Sequence, residues 1–161
     1  MARNVLLKRL RFIHKTLTWL IPISSKEWKI IKKYNSYGVP LNHRATSRIA
    51  KGDILVFYVT KTSSKVLGGN IVGVFEVTSN WEPCNENVLP KEECERYPVR
   101  ISVKPIVIGK ASLWDNRDKL TFIKRKENPS YYLKGTPANG NRPIPQKDLE
   151  TIVNLLTNPQ L

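Results

Sequence analysis

Residues 18–40 constrain the fold more than any other part of the chain. They begin as Thr-Trp-Leu-Ile-Pro-Ile, a short apolar run with a β-branched bias. Such a run reads as a buried strand over 19–23. Ser24 comes next, with Glu27 three residues on. In this capping-box spacing the serine oxygen accepts from the Glu27 backbone N–H, and the carboxylate accepts from the N–H of Ser24. A helix is therefore expected from about Ser25. Trp28, Ile31 and Tyr34 fall on its inner face, while Lys26, Lys29, Lys32 and Lys33 look outward. Gly38 and Pro40 read as the end of this helix and the turn after it. A strand end, a helix start and the Tyr37 ring thus lie close together in sequence. Such a junction offers free backbone N–H groups beside a flat aromatic face.

Strands dominate the middle of the chain. Residues 54–60, Ile-Leu-Val-Phe-Tyr-Val-Thr, form the strongest strand pattern, apolar on both faces. Residues 61–69 make a polar hairpin loop ending in Gly68-Gly69, and 71–77 a second strand. Gly73 in its middle suggests a bulge or a close backbone approach. Residues 79–96 read as one long loop in which the acids, among them Glu86, Glu92, Glu93 and Glu95, are solvated. In 99–108, Val99, Ile101 and Val103 alternate with outward Arg100, Ser102 and Lys104, and the strand turns at Pro105. A short helical segment is expected near 113–120. A helix over 145–156 carries Leu149, Ile152, Val153 and Leu156 as one stripe. Strands in the middle and helices near both ends give an α+β class. Hairpin-length loops favour a small, strongly bent sheet or partial barrel. There is no βαβ alternation, GxGxxG or P-loop to support a doubly wound sheet.

Charge narrows the partners. Lys and Arg number 27 against 13 Asp and Glu, a net charge of +14. An excess of this size favours a polyanion as partner. Residues 1–17 carry five of the cations and no acid, and are set apart as a basic N-terminal arm; 18–161 read as a single domain. The arm is either an amphipathic binding element or a plain extension. No apolar run approaches the length of a membrane span, and the first residues lack a signal-peptide pattern. Cys84 and Cys94 have no CxxC or paired histidines around them, so no metal is expected. They read as two unpaired thiols in a reducing cytoplasm.

No catalytic constellation stands out. His14 and His43 are isolated, neither HExxH nor GxSxG occurs, and Asp53 reads as a turn residue. The chain reads as a binding protein without cofactors, acting as a monomer. Its distinguishing feature is aromatic residues among cations: Trp19, Trp28, Tyr34, Tyr37, Trp81, Tyr131 and Tyr132. Rings in a basic surface hold bases taken out of a stack. Trp19 and Trp28, a strand ring and a helix ring at the right spacing to pack inward, fit better as core residues. Tyr37 and Trp81, beside glycine and proline, fit better as walls of a base pocket.

Several blocks, taken in order, resemble the EVE domain in its archaeal and bacterial single-domain form. They are Thr-Trp-Leu-Ile-Pro-Ile-Ser-Ser-Lys-Glu-Trp-Lys-Ile-Ile from Thr18, Tyr37-Gly-Val-Pro, His43-Arg, Lys51-Gly-Asp-Ile-Leu-Val-Phe-Tyr-Val, Ile71-Val-Gly-Val-Phe-Glu-Val-Thr and Lys104-Pro-Ile. The resemblance covers about 18–157. It implies a PUA-like fold, a bent β-barrel of five to six strands flanked by helices, with kinship to YTH domains. It further implies a reader of modified, for instance methylated, bases in DNA or RNA. The implied pocket consists of Trp19, Ser24, Tyr37, Gly38, Val39, Trp81, Ser130 and Tyr131. Tyr37 stands where relatives usually carry tryptophan, and Pro129-Ser130 where they carry Trp-Ser. Lys33, His43, Arg44, Arg48, Lys124, Arg125 and Lys126 would meet the phosphate backbone. A non-selective RNA-binding accessory domain and a nucleoside-binding protein are the alternatives.

Overall fold

The apolar run at 18–23 forms strand β1 (Thr18–Ile23), buried except at Pro22. The computed structural model describes residues 16–158, so nearly all of the basic arm lies outside the described residues. Ser24 caps helix α1 (Ser25–Tyr34) by the expected reciprocal pair: Glu27 N donates to Ser24 Oγ at 3.1 Å, and Ser24 N donates to Glu27 Oε1 at 3.0 Å. Trp28 and Ile31 are its buried residues. The helix stops before Gly38, however. Asn35 takes a left-handed conformation (φ 50°, ψ 45°) and its N–H closes on the Ile31 carbonyl. The chain passes directly into strand β2 (Ser36–Val39), of which Gly38 is an interior residue.

The remaining elements are α2 (Ala45–Arg48), β3 (Ile54–Val59), β4 (Asn70–Val77), β5 (Glu82–Pro83), α3 (Lys91–Arg96), β6 (Val99–Ser112) and α4 (Gln146–Thr157). The strands order as β1-β3-β4-β6-β2, with β5 paired to β6. β1 and β3 run parallel, and every other pairing is antiparallel. The result is a curled, mixed half-barrel, as the α+β reading expects. Alternation along the strands sorts side chains into two cores. Leu20, Ile54, Val56, Ile71 and Val74 pack with Leu149, Ile152 and Val153 of α4. Trp19, Ile21, Leu55, Phe57 and Phe75 pack with Trp28 and Ile31 of α1. Gly73 sits where the register shifts on both sides of β4. A Cβ there would come within 2.9 Å of Trp28 Cη2, so the bare backbone admits the tryptophan.

Three expectations are corrected. Residues 79–96 are not one solvated loop: they contain β5 and α3, and Leu89, Glu93 and Cys94 are buried. Cys84 and Cys94 are not unpaired thiols but a disulfide. The pairing of Pro83 with Val99, and of Cys84 N with the Pro98 carbonyl at 2.7 Å, folds the segment back and brings the sulfurs together. Finally, β6 continues past Pro105, which stands opposite Phe75 at a register shift. A bulge is where a strand tolerates a residue without an N–H.

Candidate nucleic-acid interface

On β2, Tyr37 and Val39 point to one face of the sheet, Ser36 and Gly38 to the other. The Tyr37 ring is only 3% exposed. Its centroid lies 5.6 Å from that of Phe57 and 6.4 Å from that of Trp81, the latter pair tilted by 59°. Burial pushes its phenol well above the ordinary value, with the Thr136 side chain opposing. Tyr37 is therefore a strand residue in the core, not a ring on a turn. Pairing with Ile101 of β6 directs it inward, where it extends the aromatic layer of Phe57, Phe75 and Trp28. Trp81, half-buried, donates its Nε1–H to the Ile49 carbonyl at 2.9 Å. Tyr37 and Trp81 touch, and at this separation and tilt no base fits between them.

The other expected pocket residues are scattered. Trp19 is buried, and its Nε1 donates to Asp53 Oδ2 at 2.9 Å. Asp53 also accepts from Leu17 N and Ala50 N, so this buried carboxylate stitches β1 to the turn before β3. Ser24 Oγ is engaged in the α1 cap. Ser130 and Tyr131 lie on the 3-10 helix Pro129–Leu133. Ser130 Oγ donates to Asn128 Oδ1 at 2.7 Å, while the exposed Tyr131 packs edge-on against Tyr132 and under Arg125. The structure thus brings Tyr37, Gly38, Val39 and Trp81 together, whereas the contacts of Ser130 and Tyr131 are with their own segment.

An opening occurs on the opposite face of β2. Gly38 pairs with Arg100. A Cβ at Gly38 would collide with Arg100 Nη1 and lie 2.8 Å from Tyr97 Cβ, so only a bare backbone allows the guanidinium to rest there. Arg100 is 5% exposed. Its Nε donates to Ser36 Oγ at 2.7 Å and its Nη2 to the Ser36 carbonyl at 3.1 Å. Nη1 makes no hydrogen bond; Glu93 Oε1 stands 3.9 Å away. Glu27, Ile30, Tyr37, Gly38, Glu93, Tyr97 and Arg100 line a recess of about 10 Å³, the space of roughly one water. Burial raises the Glu27 carboxyl above its ordinary value, against the opposing hydrogen bonds of Ser24. Burial likewise lowers Arg100, against the opposing charge of Glu93.

Arg100, Glu93 and Tyr97 are the residues that sequence reasoning misses. Alternation along β6 predicts a solvent-facing Arg100, but α3 covers that face. The one signal that could have found them is a Cys84–Cys94 bond, which would fold 84–94 back over the strand.

The cations divide into free and engaged. Lys33, Arg48, Lys124 and Arg125 are exposed. Arg44 is exposed too, with its Nε 3.4 Å from the Thr136 carbonyl. His43, by contrast, accepts from Ala45 N through Nδ1 at 3.1 Å, and burial and the neighbouring Arg44 both lower its pKa. The Nδ1 side of this imidazole is thus occupied by the start of α2. Lys126 Nζ donates to the Arg117 and Leu120 carbonyls at 2.9 and 2.8 Å, holding the 3-10 helix Arg117–Lys119. Among the described residues no group of His, Cys, Asp or Glu could hold a metal ion, and no helix is long and apolar enough to cross a membrane.

Known proteins resemble both the sequence and the fold. The chain is 36% identical to the UPF0310 protein SSO2595 of Saccharolobus solfataricus over 141 residues, which is 86% of this chain and 93% of the relative. It is 40% identical to the UPF0310 protein PYRAB08750 of Pyrococcus abyssi over 144 residues, 86% of this chain and 98% of that one. In fold it resembles the YTH domain of the Zygosaccharomyces rouxii MRB1 protein, solved in complex with N6-methyladenosine RNA. The TM-score is 0.60 at 19% identity, over 91% of this chain and 90% of that domain. The EVE domain model matches residues 17–155, nearly the whole described chain. On this match, the chain belongs to the EVE domain family.

Proposed function

We propose that this protein is a nucleic-acid-binding module that takes one base, carrying a modification such as a methyl group, into the recess beside Gly38. The observation that carries the reading is the Arg100 guanidinium: a flat group resting on bare backbone, buried, with one N–H left without a hydrogen bond. A base is flat as well. Entering the recess, it takes the guanidinium's place over Gly38, beside Tyr97. Backbone groups of Tyr37 to Val39 and the Glu27 carboxylate then read its edge. A methyl group adds about 1 kcal/mol by burial against these walls. Lys33, Arg44, Arg48, Lys124 and Arg125 hold phosphates without regard to sequence. The likeness in fold to a YTH domain bound to N6-methyladenosine RNA supports the same ligand class. The reading involves binding alone and no catalysis.

The water-sized recess also favours a second reading, in which only the backbone is held and no base enters. Fluorescence anisotropy with matched methylated and plain single strands, in DNA and in RNA, separates the two. Tighter binding of one methylated strand is expected. Equal affinity for every strand of a pair leaves only the second reading, and affinity indifferent to salt excludes both.

A further inference from the structure

A cleft of about 180 Å³, far roomier than the recess at Gly38, opens on the other side of Arg100. Its walls come from the end of α1, from β2 and β6, and from the disulfide-tied segment after β5. The groups that matter are Tyr34, Ser36, Leu89, Arg100, Ile101 and Ser102. The floor is a row of donors. The Ser36 hydroxyl, which accepts from Arg100 Nε, keeps its own hydrogen to donate, while Arg100 Nη1, without a hydrogen bond, lies behind it over Gly38, 3.9 Å from Glu93 Oε1. Ser102 presents a hydroxyl from the paired strand. Leu89, apolar and buried, supplies a dry side wall. The Tyr34 ring closes one end, and Lys33 Nζ lies 5.3 Å from its centroid, at the exposed rim. Glu82 on the opposite lip disfavours an anion inside the cleft.

We propose that this cleft binds a second nucleotide, with a carbonyl-bearing base inside and its phosphate outside on Lys33. The inference rests on the nucleic-acid reading but concerns a different site. A ring against Tyr34 and Leu89 gains apolar contact. Its carbonyl oxygen takes a serine hydroxyl, and the Arg100 N–H as well once the guanidinium turns from Gly38 toward the cleft. Uracil meets this need, whereas adenine has no exocyclic oxygen and would set its amino group against donors. The phosphate belongs at Lys33 because Glu82 repels it from the interior. The two sites share Arg100: a base that displaces the guanidinium from Gly38 turns it toward the cleft, where the carbonyl awaits it.

The test is an amide NMR titration of the full chain with uridine monophosphate, adenosine monophosphate and uridine. Uridine monophosphate should shift the amides of Ser36, Leu89 and Arg100 to Ser102, with adenosine monophosphate about tenfold weaker, the size of one well-made polar contact. Ser102→Leu fills the cleft from an exposed position and keeps its backbone bond to Ser79 Oγ, so binding should fall by about tenfold or more in a folded protein. Lys33→Gln should weaken the monophosphate and leave uridine unchanged. Equal shifts by both monophosphates, shifts that map elsewhere, or a Ser102→Leu protein that binds as wild type would each overturn the proposal. If single strands still bind while the cleft stays silent, only this inference falls; if neither strands nor nucleotides bind, the nucleic-acid reading falls with it.

Discussion

Tyr37 shows how one side chain is judged by its surroundings. Beside a glycine and a proline it reads as a turn residue whose ring is free, and truncation would then cost little. In the structure the ring fills a layer between Phe57 and Trp81. Tyr37→Ala should therefore destabilise the protein by about 3–5 kcal/mol, as for buried aromatic truncations. Tyr37→Phe, which loses only the hydroxyl, should cost about 1 kcal/mol or less. Urea denaturation of the two variants checks both values. Glu27 gives a prediction in pH. Burial raises its pKa above the ordinary 4.5 in the folded state, so the folded protein holds this proton more tightly than the unfolded chain. The ionised carboxylate is thus a cost at neutral pH. That cost disappears as pH falls through the raised pKa toward 4.5. Glu27→Gln keeps an oxygen for Ser24 N and completes the same capping box. Its denaturation midpoint should equal or exceed that of wild type at neutral pH, and the difference should shrink on acidification. A variant equally destabilised at every pH would mean that the carboxylate charge is needed for the fold.

Among the elements, α3 is the one whose place depends on a covalent bond. It has six residues and no side-chain N-cap, and its buried groups are Glu93 and Cys94. The disulfide closes a ten-residue separation. Its removal in a Cys84→Ser, Cys94→Ser double variant should cost about 2–4 kcal/mol. Because α3 carries Glu93 and leads into Tyr97, the loss should loosen the lid over Arg100 more than the distant α4. Hydrogen exchange should show faster amides at 91–100 and unchanged ones at 149–156; uniform acceleration would contradict a local role. The same element marks the limit of what the sequence conveys. β1, the Ser24–Glu27 box, α1, β3, the bulge at Gly73 and the α4 stripe are all legible, because each rests on local spacing. Helix and strand periods are properties of neighbouring residues. The end of α1 at Asn35 is not legible, since a left-handed asparagine competes with the stronger glycine signal three residues on. Nor is the recess: Arg100 is buried by α3 from a separate stretch of the chain, and strand alternation alone places it in water.

At the scale of the whole molecule, the excess of positive charge should govern affinity. Binding to any single strand should weaken steeply with salt. Neutralising Lys124 and Arg125 together should flatten the log–log salt slope by roughly one and a half, if each meets one phosphate. Lys126→Gln should instead lower stability and leave the slope alone, since its ammonium is spent on carbonyls. Base reading is a separate matter from this field, and it rests on the recess at Gly38. The most direct measurement is a paired titration of matched methylated and plain strands against wild type and Tyr97→Ala. Tyr97 is half-buried at the end of α3, so the variant should fold. The account predicts that wild type prefers the methylated strand. It also predicts that Tyr97→Ala loses that preference together with about 1–3 kcal/mol of stacking, while the salt slope stays the same. A folded Tyr97→Ala protein that discriminates as well as wild type would show that no base enters beside Gly38.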